Sequence, residues 1–190
     1  MNLILWRHAE AQDGIPDLAR ELTPRGRKQA ERMAQWLRAQ LPQRHLVLAS
    51  PAQRTRQTAD ALGPDYRVDR NLSPDVDVAH YLAASAWPEG PEGCAGTVVL
   101  VGHQPTLGRL ASLLLCGEEQ NWTLRKGAVW WLTTREREGR APSNGLCDRR
   151  HEQVDIGHRA EELQRDMALV RARPPQAVVR APGCMDRGIR

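Results

Sequence analysis

Two histidines stand just past the ends of apolar runs, Leu3-Ile4-Leu5-Trp6-Arg7-His8 and Val98-Val99-Leu100-Val101-Gly102-His103. A third run, Leu46-Val47-Leu48-Ala49, leads through Ser50 and Pro51 to Arg54. In open α/β sheets, ligands sit outside the carboxyl ends of the parallel strands. Three such strands would aim Arg7, His8, Arg54 and His103 at one place. Phosphoryl transfer spreads negative charge over three oxygens, and fixed cations at those oxygens lower the barrier. An arginine fork grips two of them at once. A neutral imidazole can attack phosphorus and hold the phosphoryl group covalently, while a second, protonated imidazole would add charge to the clamp. Singly, each residue has a plainer reading, as a structural hydrogen-bonder or a surface charge. Together, at three strand ends, they form a nucleophile and a clamp that need no metal.

The elements that must position them are legible from period and punctuation. Residues 3–6, 46–49 and 97–101 read as short, buried parallel strands. The polar stretch 9–22, with Gly14 and Pro16, reads as a loop over the first strand end. Thr23-Pro24 is a helix start, with apolar residues at helical spacing to Leu41. Ser50-Pro51 repeats that start, for a helix to about Leu62 that carries Arg54 in its first turn, beside free backbone N–H groups. Residues 66–72 could form a short strand, Val78–Ala86 a helix, and Pro105 opens a helix that ends near Gly117. Gly127–Thr134 is a further strand, on which Trp130 and Trp131 alternate faces, so one of them belongs to the core. Strands alternating with helices predict a three-layer α/β/α sandwich on a mainly parallel sheet.

The chain has 190 residues, 41% hydrophobic and 26% charged, with a net charge of +4. That suits one domain with an appendage, and the charge does not demand nucleic acid. Cys94, Cys116, Cys147 and Cys184 are widely spaced, which fits neither a disulfide framework nor a zinc site and points to a reducing cytoplasm. The amino-terminal apolar run is too short for a signal peptide, and no stretch has the length of a membrane span. After about Arg135 the sequence turns Arg-rich, without lysine. Residues 139–190 are expected to be a weakly structured tail, helical at most over 160–171. His151 and His158 there lack metal-ligand company, His45 reads as a surface residue, and His80 and Tyr81 read as packing near the pocket mouth.

Four segments carry a family resemblance. Arg7-His8-Ala9-Glu10-Ala11 resembles the RHG-type signature of the histidine phosphatase (phosphoglycerate mutase-like) superfamily. Leu22-Thr23-Pro24-Arg25-Gly26-Arg27-Lys28-Gln29-Ala30 is similar to its LTxxGxxQA segment, and Ser50-Pro51-Ala52-Gln53-Arg54-Thr55-Arg56-Gln57-Thr58-Ala59 to its SPxxRxxQTA helix. Gly102-His103-Gln104-Pro105 looks like its second-histidine motif. The size and the RHAEA form resemble the SixA-type phosphohistidine phosphatase branch. The resemblance covers residues 1–138, taken as the catalytic domain. It implies His8 as the phosphorylated nucleophile, with Arg7, Arg54 and His103 binding phosphate and no cofactor or metal. It further implies a phosphohistidine-bearing protein, such as a phosphotransfer domain, as partner, with neither membrane nor nucleic acid. Ala9 stands where the family has Gly, a change of consequence only if that position needs positive φ. Glu10 is the candidate general acid. A small-molecule phosphomonoesterase of the same fold and a non-catalytic anion-binding module with a basic tail are the alternatives.

Overall fold

The computed structural model describes residues 1–92, 94–135 and 153–156. Four parallel strands lie in the order β3-β2-β4-β1: β1 (Asn2–Arg7), β2 (Leu46–Ala49), β3 (Arg67–Val68) and β4 (Thr97–Gly102). Two antiparallel strands, β5 (Val129–Arg135) and β6 (Gln153–Ile156), extend the sheet beyond β1. Four helices connect them: α1 (Pro24–Gln40), α2 (Gln53–Asp60), α3 (Val78–Ser85) and α4 (Thr106–Cys116). This is the α/β/α arrangement the alternation predicts. β6 lies past the boundary drawn at residue 138. The helix expected over 160–171, His151 and His158 fall outside the described residues.

Sheet alternation sorts the core. Leu3 and Leu5 of β1 and Val98 and Leu100 of β4 are buried with Val78, Tyr81 and Ala84 of α3 and Leu107, Leu110 and Ala111 of α4. The opposite face carries Ile4 and Trp6, both fully buried. Ile4 pairs with Trp131 of β5, whose ring meets Trp36 of α1 edge-on at 6.3 Å. Trp130, on the other face, meets Trp122 edge-on at 6.0 Å. Both strand tryptophans are half-buried, and Trp130 packs against the core cluster, as the alternation of faces leads one to expect. Each has an aromatic partner on its own side of the sheet.

Thr23 caps α1 as its sequence predicts, accepting from the Gly26 N–H at 2.9 Å. Helix α2 differs from expectation. It begins at Gln53 behind Ala52, with no side-chain cap, and the Ser50 hydroxyl lies between the Ala52 N–H at 3.3 Å and His103 Nε2 at 2.8 Å. The expected strand over 66–72 reduces to two residues, followed by a 3-10 turn at Arg70–Leu72. Gly26 sets how closely α1 approaches the loop after β1, since a Cβ there would stand 1.9 Å from the Glu10 carbonyl oxygen. That oxygen belongs to backbone and cannot swing aside. Gly26→Ala is therefore expected to lower the unfolding free energy by about 2 kcal/mol in urea titration. A change below about 0.5 kcal/mol, the scatter of an ordinary surface substitution, would contradict this packing.

Candidate active site

The strand order brings the chemistry-bearing residues together. β4 lies between β1 and β2, and the register pairs Arg7 with Gly102 and Ala49 with Val101. Ladder bonds run one residue further, from His8 N–H to the Gly102 carbonyl and from Ser50 N–H to the Val101 carbonyl, both at 3.1 Å. His8, Ser50 and His103 thus leave three adjacent strands at one level. Thr58 fastens α2 to this level, accepting from Ala9 N–H at 3.1 Å and donating to the Arg54 carbonyl at 2.7 Å.

His8, Arg54 and His103 are 6%, 3% and 2% exposed. The two imidazole rings lie 5.2 Å apart, centre to centre, at 54°. His8 Nδ1 sits 2.7 Å from the Ala9 carbonyl oxygen. A carbonyl only accepts, so Nδ1 carries the proton and Nε2 keeps its lone pair. Burial, aided by the fields of Arg54, Arg7 and Arg20, pushes the His8 pKa down to about 4, against the carbonyl bond that favours the charged ring. His103 is also fixed as a neutral ring. Arg54 Nη2 faces its Nδ1 at 3.3 Å, and a guanidinium only donates, so Nδ1 accepts. Nε2–H then donates to the Ser50 hydroxyl at 2.8 Å. Burial and neighbouring positive charge hold its pKa far below the ordinary histidine range. The protonated second histidine imagined from the sequence is thus replaced by a neutral one in the free protein.

Arg7 and Arg54 flank the rings. Arg7 donates to the Leu124 carbonyl at 2.7 Å. Arg54 spans Asp17, donating to its backbone oxygen at 2.7 Å and to its carboxylate at 2.8 Å. The Nε atoms of both arginines are buried without a hydrogen-bond partner. Ala9 does not need to be glycine, because Ala86 is the non-glycine residue with positive φ among the described residues.

Glu10 has its polar partners elsewhere. Its carboxylate accepts from the Thr23 hydroxyl at 2.9 Å and pairs with Arg25 at 3.8 Å, at the start of α1. His80 pairs with Asp77 on the exposed side of α3, whereas Tyr81 does more than pack. Its buried hydroxyl accepts the His103 N–H and donates to the Leu72 carbonyl, both at 3.1 Å. Asp17, Ser50 and Tyr81 are the site contacts that sequence reasoning missed. Ser50 was in view as a supposed helix cap, and the charges of the loop after β1 were the available signal for Asp17. Among the described residues, no three His, Cys, Asp or Glu side chains gather as a metal site. No described helix is long and apolar enough to cross a membrane.

A model of the histidine phosphatase superfamily (branch 1) matches residues 3–77. An uncharacterized protein of Picosynechococcus sp. is 34% identical over 139 residues, spanning 68% of this chain and 82% of that protein. The phosphohistidine phosphatase SixA of Escherichia coli is 32% identical over 128 residues, spanning 62% and 76%. The solved structure of the protein histidine phosphatase SixA complexed with tungstate aligns with a TM-score of 0.59 at 30% identity, covering 70% of this chain and 88% of that one.

The neutral, buried histidines carry a consequence for stability. Their folded pKa values lie below the unfolded value near 6.5, so the unfolded chain binds protons that the folded one refuses. The stability they permit is complete above about pH 6.5 and declines as pH falls toward about 4, where His8 titrates in the folded state. Between pH 6.5 and 5 the His8 share of that loss is on the order of 2 kcal/mol. His8→Asn removes this titration, so urea titrations across this range should show a flatter dependence than wild type. Equal slopes would contradict the burial of a neutral His8.

Proposed function

The chain belongs to the histidine phosphatase superfamily, and we propose that it removes phosphate from phosphohistidine on a protein, through a phosphoryl group carried on His8. The lone pair of His8 Nε2 attacks phosphorus as the bond from phosphorus to the substrate nitrogen breaks. The leaving ring departs as neutral imidazole, its other nitrogen bearing the proton. Phospho-His8 keeps its Nδ1–H on the Ala9 carbonyl, which stabilises the ring's positive charge. Water then attacks phosphorus, the electron pair of the breaking bond returns to Nε2, and the water proton leaves with the phosphate. Arg7 and Arg54 neutralise the oxygens throughout. The arriving dianion draws the Arg54 N–H away from His103 Nδ1 and raises the ring's proton affinity, so that Nδ1 takes a proton from solvent and donates to a phosphoryl oxygen.

One observation carries the choice of substrate. The carboxylate that touches the cluster, Asp17, is held ionised, its pKa lowered chiefly by the Arg54 hydrogen bond. Glu10 is committed to Thr23 and Arg25. Neither is set to give a proton to an alkoxide, which an alkyl phosphate requires. The imidazole of phosphohistidine needs no such acid. The E. coli relative named as a phosphohistidine phosphatase supports this reading, and a phosphotransfer domain is the proposed partner.

With EDTA present, kcat/KM for a phosphohistidine-bearing phosphotransfer domain should exceed that for a sugar phosphate by at least about a hundredfold, the usual worth of general acid catalysis. Glu10→Gln should change the phosphohistidine rate less than about threefold, under 1 kcal/mol on the barrier. Comparable rates on both substrates, with a severe loss in Glu10→Gln, would instead identify a phosphomonoesterase with Glu10 as its acid.

A further inference from the structure

The loop between β1 and α1 brings a third arginine to the cluster. Asp17, in the 3-10 turn Asp17–Ala19, uses both carboxylate oxygens. Oδ2 accepts from Arg54 Nη2 at 2.8 Å, and Oδ1 forms an ion pair with Arg20 Nε at 3.0 Å, a buried nitrogen that makes no hydrogen bond. The Arg20 guanidinium is thus tied within one carboxylate's span of the Arg54 fork. Its side chain is largely covered, while Asp17 itself is mostly exposed. A surface carboxylate fixed by two arginines is rarely an energetic end in itself; its geometry orders the cations it joins.

We infer that Arg20 is a third phosphoryl-binding arginine and that Asp17 is the positioning residue that couples it to Arg54. This rests on the reading that the cluster binds a phosphoryl group, and it does not depend on which molecule delivers that group. Two further features agree. With both histidines neutral, Arg7, Arg54 and Arg20 outnumber the Asp17 and Asp13 carboxylates that face them, so the free cluster is net positive, as a phosphoryl anion requires. The field of Arg20 also reaches both His8 and His103, lowering the proton affinity of each, so its charge acts inside the cluster. The other group facing Arg20 is Asp13, at 3.6 Å and fully exposed. That long, solvent-exposed contact is one an incoming oxygen can displace at Nη1 while Asp17 holds Nε. Arg54 Nη2, pinned by Asp17 on one side, keeps its second hydrogen on the side of His103.

The test is binding of inorganic phosphate by the full chain, measured calorimetrically at low salt. Arg20→Met should raise the phosphate Kd about tenfold, the effect of one lost charge-assisted contact. Arg20→Gln provides the same reading should the first variant fold poorly, and a thermal midpoint near wild type certifies either. In the Asp17→Ala background, where Arg20 is no longer held, the same Arg20 substitution should change Kd less than about twofold, a shortfall that marks coupling between the two residues. A Kd within twofold of wild type in folded Arg20→Met or Arg20→Gln would overturn the inference and leave the proposed phosphatase reading intact. An equal loss in both backgrounds would overturn the positioning role of Asp17. Absence of phosphate binding by the wild-type chain would overturn both the inference and the phosphoryl site on which it rests.

Discussion

The pairing of β4 with β1 on one side and β2 on the other determines where every polar group of the cluster can stand. Parallel register puts the carboxyl ends of the three strands level. The residues that follow them then emerge side by side: His8 from β1, Ser50 from β2, His103 from β4. Chain connectivity passes from β1 to β2 and returns later to fill the space between them. Such a reversal of strand order leaves a crevice at the carboxyl edge. Tyr81 keeps the central strand end in place, and Gly102 makes room for it, since a Cβ there would stand 2.4 Å from the tyrosine hydroxyl oxygen.

Burying two imidazoles among three guanidiniums is costly if the rings are charged. The structure avoids that cost by giving each ring a defined tautomer. The Ala9 carbonyl takes the proton of His8 on Nδ1, and Ser50 takes that of His103 on Nε2. The net positive charge therefore resides on the arginines, which stay protonated even where burial lowers their pKa, as at Arg7. On the proposed reading, a neutral His8 among fixed cations would meet a phosphoryl dianion without competing for protons near neutral pH. The same burial that keeps the His8 ring neutral, as the proposed attack requires, removes stability under mild acid.

Much of this was legible in the sequence. The three strands and the Thr23 cap of α1 follow from apolar period and from Thr-Pro punctuation, while the helix that carries Arg54 is foreseen but starts at Gln53 and not at the Ser50-Pro51 step. Arg7, His8 and His103 follow from their places at strand ends, and Arg54 from its place in the first turn of the helix after β2. Their neighbours were not legible, for physical reasons. Ser50 looks like a helix cap because capping and side-chain hydrogen bonding to a distant histidine use the same hydroxyl. Asp17 and Arg20 lie in a loop with no period to place them. Glu10 follows His8 closely in sequence, yet its side chain turns to the start of α1, where Thr23 and Arg25 hold it. At the sheet edge β3 is two residues long, shorter than the weak alternation over 66–72 suggests.

The central claim is that His8 Nε2 carries the phosphoryl group. It is tested most directly by rapid quenching of the enzyme with a phosphotransfer domain radiolabelled on its phosphohistidine. Label should appear on the enzyme within the first turnover, be stable to alkali and lost in acid, and map by mass spectrometry to the peptide containing His8. It should be absent from His8→Asn. Full turnover by His8→Asn, or label that maps to another residue, would contradict the account.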